Sequence, residues 1–288
     1  MKLLRFKSGG NVALGVLQIG HEDRIVPLAP LSDEYPTMLS IIKGGSAALE
    51  RIKAIAEHSD SAFDLADVRL LAPIERPGKY LAIGMNYAKH VEEAKRLGVE
   101  APANQFWFNK QTSCMAGPFD AIEPGVTEQL DYEVELGIVI GQPAKHVSEG
   151  EAISHVFGYV VANDVSARDW QRHSPTFTMG KSFDTHGPIG PWIVTADEIP
   201  DPHRLGLRCL VNGAVRQDGN TSELIYNVWQ QIAYLSTAFT LDAGDLIATG
   251  TPSGVGVGMI PPCFLQPGDI VRCEIDGIGA IENRVAKR

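Results

Sequence analysis

Apolar residues along this chain gather in short runs rich in β-branched side chains, each closed by Gly, Pro or Asn. Runs of that length and punctuation predict strands at residues 79–83, 133–140, 158–161, 192–194, 207–211, 246–248 and 270–275. The segment Val211-Asn212-Gly213-Ala214-Val215 predicts a hairpin, because an Asn-Gly pair takes the two positive φ angles of a tight turn at little cost. Ile225, Val228, Ile232, Leu235 and Phe239 recur at helical spacing and predict a helix over 224–239. Nearer the start, strands are expected from Met1, at 12–17 and at 24–28, the latter two joined by a Gly20-His21-Glu22-Asp23 turn. A helix is expected over 38–56, with Leu39, Ile42, Leu49, Ile52 and Ile55 on its apolar face. The proline-punctuated stretch 70–78 marks a boundary. The expected class is therefore α+β and predominantly β, with a small N-terminal α/β unit at 1–70 and a larger unit at 71–288.

Composition narrows the classes of partner. The chain has 288 residues, 44% of them hydrophobic, enough to bury a large core. A net charge of -10 and a pI near 5.3 argue against nucleic acid or an anionic membrane as the main partner. No apolar run approaches a membrane span, and Met1-Lys2-Leu3-Leu4-Arg5-Phe6 reads as a strand rather than a signal peptide, so a cytoplasmic location is expected. Cys114, Cys209, Cys263 and Cys273 form no Cys-x-x-Cys pair, and free thiols are expected. No local feature marks Cys114 as a lowered-pKa nucleophile.

Candidate chemistry begins with Asp131-Tyr132-Glu133-Val134-Glu135-Leu136. Strand side chains alternate faces, so Glu133 and Glu135 share one side and Val134 and Leu136 the other. Carboxylates buried together repel each other, and a divalent cation relieves both costs. Taken alone, the pattern equally fits the wet face of a half-exposed strand. Asp164 lies where an apolar strand ends, followed by Ser166 as a candidate helix cap. Three such carboxylates suit Mg²⁺ or Mn²⁺. His90 and Glu93, three apart, would meet on a helix and could activate water; a surface ion pair is the plainer alternative. Lys181 could stabilise an enolate or could be an ordinary surface lysine. The glycine-rich segment 248–258 lacks the Lys-Ser/Thr of a phosphate loop, and is expected to offer backbone donors to a substrate carboxylate.

Five segments in this order resemble the fumarylacetoacetate hydrolase family, specifically its fumarylacetoacetate hydrolase domain-containing branch. They are Gly84-Met85-Asn86-Tyr87-Ala88-Lys89-His90, the Asp131 to Leu136 segment, and Asn163-Asp164-Val165-Ser166-Ala167-Arg168-Asp169-Trp170-Gln171, then Gly180-Lys181-Ser182-Phe183-Asp184-Thr185 and Thr249-Gly250-Thr251-Pro252-Ser253-Gly254-Val255-Gly256. The likeness covers about 71–288. It implies a mixed, rolled β-sheet, a homodimer, and Mg²⁺ (Mn²⁺ or Ca²⁺ in some relatives) on Glu133, Glu135 and Asp164. It further implies a water-activating dyad of His90 and Glu93, an electrophilic Lys181, and Arg168, Gln171 and Thr251 lining or supporting the site. In one respect the chain departs from the pattern: Gly84-Met85-Asn86 stands where the founding hydrolase carries a further aspartate ligand.

The implied substrates are 2-keto acids. Hydrolysis of an acylpyruvate or 2,4-diketo acid ranks first, because both members of the dyad are present. Decarboxylation or isomerisation of an unsaturated 2-keto dicarboxylate is the rival, and a catalytically silent metal-binding dimer is a third reading. Residues 91–105 read as a lid over the site. Lys110, Arg172, His173 and Trp107 are candidates for holding the far end of the substrate.

Overall fold

The computed structural model describes residues 1–287 apart from 19, 21, 22, 60 and 61, so His21 and Glu22 of the expected turn lie outside the described residues. In chain order the first elements are β1 (Lys2–Ser8), β2 (Asn11–Leu17), β3 (Arg24–Pro27), α1 (Met38–His58), β4 (Phe63–Asp64) and β5 (Arg69–Leu71). Next come β6 (Tyr80–Gly84), α2 (Ala88–Arg96), β7 (Phe106–Lys110), β8 (Met115–Ala116), β9 (Leu130–Asp131), β10 (Val134–Ile140), α3 (Glu149–Ala152), β11 (Val156–Asn163), β12 (Ser166–Ala167) and α4 (Arg168–Gln171). The chain finishes with β13 (Gly187–Thr195), β14 (Gly206–Val211), β15 (Ala214–Asn220), α5 (Val228–Ala238), β16 (Leu246–Ala248), β17 (Ile270–Ile275) and β18 (Gly279–Arg284).

A large mixed sheet runs in the order β4-β3-β2-β1-β13-β11-β10-β16-β6-β7, and a four-stranded sheet in the order β15-β14-β17-β18. Most neighbours in the large sheet are antiparallel, while β16 and β6 are parallel. Because β1 pairs with β13, strands from both ends of the 70–78 stretch share this sheet. Both faces of β10 are buried, Glu135 included, as its Ile138-Val139-Ile140 run requires. Val134, Leu136, Ile138 and Ile140 pack into a core with Leu207, Val271 and Ile275 of the smaller sheet and with Ile232 and Leu235 of α5. Val139, with Val160 and Ala162 of β11, joins the opposite core, which holds Met38, Ile41, Ile42 and Ile52 of α1.

Several boundaries differ from expectation for identifiable reasons. β10 starts at Val134 rather than 133, since the backbone N–H groups of Glu133 and Val134 donate to the side chains of Asn163 and Gln217 instead of to a strand. α5 starts at Val228 rather than 224 because Asn227 and Gln230 form a reciprocal capping box there. α1 is capped by Thr37 and Ser40, bends at Gly45, and runs to His58. Ser166 does not cap α4: its hydroxyl donates to the Asp164 carbonyl, and Ala167 occupies the cap position. The Asn212-Gly213 turn joins β14 to β15 as expected, with φ of 52° and 79°. β7 was not anticipated from the sequence.

Candidate active site

The acids converge where β10, the end of β11 and the 248–258 loop meet. Glu133 and Glu135 point to the same side across the strand pleat, and the Asp164 backbone N–H donates to the Glu133 carbonyl at 2.9 Å. One carboxylate oxygen from each of Glu133, Glu135 and Asp164 lies within 4.8 Å of the others, and all three residues are buried. Three cations answer them. Lys181 Nζ reaches Glu133 at 2.6 Å and Asp164 at 2.7 Å. Lys110 Nζ reaches the other Asp164 oxygen at 2.5 Å. Arg168 spans Glu133 at 2.6 Å and Asp131 at 2.9 Å.

Asp131, Glu133, Glu135 and Asp164 thus face Lys110, Arg168 and Lys181, leaving one negative charge over. Glu135 carries it: its hydrogen bond comes from the Gly250 N–H at 2.7 Å, not from a cation. Burial, reinforced by Asp164 and Glu133, pushes its carboxyl well above the usual carboxylate range. Burial would also raise Glu133, but the charges of Lys181 and Arg168 outweigh it and hold that carboxyl at about 2. Such an uncompensated, all-oxygen cluster fits a hard dication, which would let all three acids ionise together.

The glycine-rich loop does something other than expected. Its backbone donors serve carboxylates of the protein: Gly250 holds Glu135, Gly254 holds Glu93 at 3.2 Å, and Gly256 and Val257 hold Asp131 at 2.7 and 3.0 Å. Gly250 and Gly254 have φ of 98° and 106°, angles open to glycine, and a Cβ on Gly254 would lie 2.0 Å from the Arg216 carbonyl oxygen. Asn86, following the positive-φ residue Met85, fixes the loop from behind by donating to the Thr249 carbonyl at 2.8 Å.

His90 and Glu93 lie on α2 and meet as their spacing requires, Nδ1 to Oε2 at 3.0 Å. That contact leaves Nε2 of His90 as the free nitrogen, while Gly254 fixes the second Glu93 oxygen. A cavity of about 440 Å³ opens onto His90, Glu93, Glu133, Glu135, Arg168 and Lys181, and is walled by Ile83, Phe106, Phe108 and Phe177. Gln171 and Thr251 also line it. Gln171 accepts from Arg168 at 3.0 Å, and the Thr251 hydroxyl ties the Val134 carbonyl to Gln217. Residues 91–105 include the rest of α2, and their Leu97 and Val99 border the cavity.

The other candidates divide between the cavity wall and its surroundings. Lys110 is absent from the cavity lining; its ammonium is buried behind Asp164 and donates to the Lys181 carbonyl as well. His173 packs beside Trp170 and Trp107 donates to Gln105, and neither lines the cavity. Arg172 does line it. Burial pushes the Cys114 thiol up to about 11, which disfavours the thiolate. Asp131, which shares the acidic segment, anchors Arg168 and the loop instead of joining the acid triad. Strand alternation puts Asp131 on the face of Glu133 and Glu135 without giving its role, and no local spacing distinguishes Asn86, Asn163 or Gln217, whose partners are distant in sequence.

Comparison with known proteins places these features in a family. The family model described as fumarylacetoacetate (FAA) hydrolase C-terminal matches residues 79–286, and one described as Rv2993c-like, N-terminal, matches 1–73. Oxaloacetate tautomerase fahd2, mitochondrial, of Xenopus laevis is 41% identical over 290 residues, 99% of this chain and 90% of that protein. A fumarylacetoacetate hydrolase structure from Exiguobacterium antarcticum superposes with a TM-score of 0.85 at 39% identity, covering 100% of both chains. A maleylpyruvate hydrolase from Sphingobium sp. SYK-6, in complex with manganese(II) ion and pyruvate, superposes with a TM-score of 0.82 at 32% identity over 99% of each chain.

Proposed function

This chain belongs to the fumarylacetoacetate hydrolase family, and on that premise we propose that it interconverts the enol and keto forms of a 2-oxo acid with a divalent cation, Mg²⁺ or Mn²⁺, held by Glu133, Glu135 and Asp164. The observation that carries this reading is the His90–Glu93 pair, fixed at both carboxylate oxygens and opening onto the same apolar-walled cavity as the acid cluster. Support for the substrate class comes from a tautomerase relative named for oxaloacetate and a neighbour complexed with pyruvate.

When bound, the cation would supply Lewis acidity, drawing electrons toward the 2-oxo oxygen and acidifying the adjacent carbon. The rest falls to side chains. Glu93 orients His90 so that Nδ1 carries the proton and Nε2 is free to act as base. Nε2 takes the proton from C3 of the keto form, and the imidazolium so formed gives it up to the 2-oxo oxygen to form the enol; the reverse sequence gives the ketone. No atom is gained or lost. Lys181 and Arg168, buried and fixed, stabilise the negative charge that develops on oxygen. Apolar walls keep the proton transfer away from bulk water.

Hydrolysis of an acylpyruvate, ranked first from the sequence, is the second reading, favoured by the same dyad and by the maleylpyruvate hydrolase neighbour. It adds a water to the reaction: His90 would deprotonate that water for attack on the C4 carbonyl, the C3–C4 bond would then break to release a carboxylic acid, and the pyruvate enolate would take the proton back. Incubating the Mg²⁺-loaded protein with enol-form 2-oxo diacids and, separately, with acetylpyruvate tests both. Accelerated loss of enol absorbance with acetylpyruvate intact supports tautomerisation. Cleavage of acetylpyruvate supports hydrolysis, and inertness toward both overturns the proposal. A homodimer, expected from the resemblance, is carried with this proposal and is checked by light scattering.

A further inference from the structure

We propose that Arg172 is a specificity residue that pairs with a second carboxylate at the far end of the substrate. The inference rests on the 2-oxo acid reading above. Three permanent cations line the cavity: Arg168, Arg172 and Lys181. Two are already engaged, Lys181 by Glu133 and Asp164, and Arg168 by Asp131 and Glu133. Among the described residues no carboxylate pairs with Arg172, so its charge is available to a ligand.

Position separates the two arginines. Arg168 opens α4 and is 6% exposed at the floor beside the acids, whereas Arg172, the residue that closes α4, is exposed at the mouth. Residues four apart on a helix stand on the same side, about 6 Å between Cβ atoms. Between floor and mouth the wall is apolar: Phe106, Phe108, Phe177 and Val99. A carboxylate there would be buried without a partner, which is costly. A substrate spanning the cavity therefore needs its acidic head at the floor, a hydrocarbon middle, and its second charge near Arg172. Oxaloacetate fills only a fraction of about 440 Å³ and places both charges at the floor. A six- or seven-carbon 2-oxo diacid satisfies all three zones, and the planar guanidinium can take a carboxylate on two N–H groups.

The test compares two stable six-carbon acids that differ only at the far end, 2-oxohexanedioate and 2-oxohexanoate, by calorimetric titration into the Mg²⁺-loaded protein. The wild type should bind the diacid tighter by about 10-fold or more, the scale of one charge-assisted contact. Arg172→Gln should collapse that ratio to within about 2-fold, and Arg172→Lys should restore part of it. The preference for oxaloacetate over pyruvate should be unaltered by Arg172→Gln, because the shorter acid does not reach. Equal binding of the two six-carbon acids by the wild type overturns the inference alone, as does a ratio that survives Arg172→Gln. Failure of the wild type to bind any of the four acids overturns the 2-oxo acid reading together with the inference.

Discussion

Arg168 and Asp131 are joined by a buried salt bridge of 2.9 Å, and the same guanidinium reaches Glu133 at 2.6 Å. Asp131 in turn receives the backbone N–H groups of Gly256 and Val257. One side chain therefore links the acid cluster to the loop that positions Glu93 and Glu135. A lysine in its place lacks the planar fork by which Nε and an Nη reach the two carboxylates from separate nitrogens. Arg168→Lys should fold but lose about 100-fold in kcat/KM. Arg168→Met, which leaves buried Asp131 without a cation and Glu133 with Lys181 alone, should lose about 3–5 kcal/mol of stability in urea denaturation. Equal stability of the two variants would contradict this linkage.

Glu135 gives the metal-free protein a distinctive pH response. Its folded-state pKa is raised above the unfolded value, so its contribution to stability is full below the unfolded pKa and is lost as pH rises through the folded pKa. Glu135→Gln should remove that loss and raise the melting temperature of the metal-free protein at neutral and alkaline pH. In the wild type, stabilisation by Mg²⁺ should grow as pH rises, since the cation competes with a proton for this carboxylate. Melting curves in EDTA and in Mg²⁺ across a pH series read both effects.

Lys110 supports Asp164 from outside the cavity. Lys110→Met should therefore cost about 2–3 kcal/mol of stability by removing one of the two cations that hold buried Asp164, Lys181 remaining on the other oxygen. Its effect on the preference between 2-oxohexanedioate and 2-oxohexanoate should be negligible. A lost preference with an unaltered melting temperature would instead place Lys110 at the substrate.

His186 is buried, has no salt-bridge partner among the described residues, and sits with Nε2 2.9 Å from the Glu123 carbonyl; burial holds its pKa down to about 4. The unfolded chain has the ordinary value near 6.5. A depressed folded-state pKa means stability that is present above the unfolded value and lost as pH falls toward 4. The loss should reach roughly 3 kcal/mol once the pH is below both values. In His186→Phe the slope of stability between pH 6.5 and 4 should be visibly shallower by urea denaturation.

The acids were legible in the sequence because strand alternation is a local rule: Glu133 and Glu135 must share a face, and Asp164 must stand at a strand end. The contact between His90 and Glu93 follows from helical spacing in the same way. What the sequence concealed is long-range. Lys110 and Asp164 are 54 positions apart, and nothing near Lys110 says that it will be buried against a carboxylate. Gly250, Gly254 and Gly256 advertised a loop with exposed donors, yet the recipients lie on α2 and around β10, which only the assembled sheet brings within reach. Apolar periodicity from Ile225 extends the predicted helix upstream, whereas the Asn227–Gln230 capping box starts α5 at Val228.

Calorimetric titration of Mg²⁺ into the metal-stripped protein, run beside Glu135→Gln and Asp164→Asn, addresses the acid cluster most directly. One Mg²⁺ per chain for the wild type, weakened by about 100-fold or more in each variant, is the expected result. A wild type that takes up no Mg²⁺, or variants that bind it as tightly as the wild type, would remove the cation from this site and the proposed enol chemistry with it.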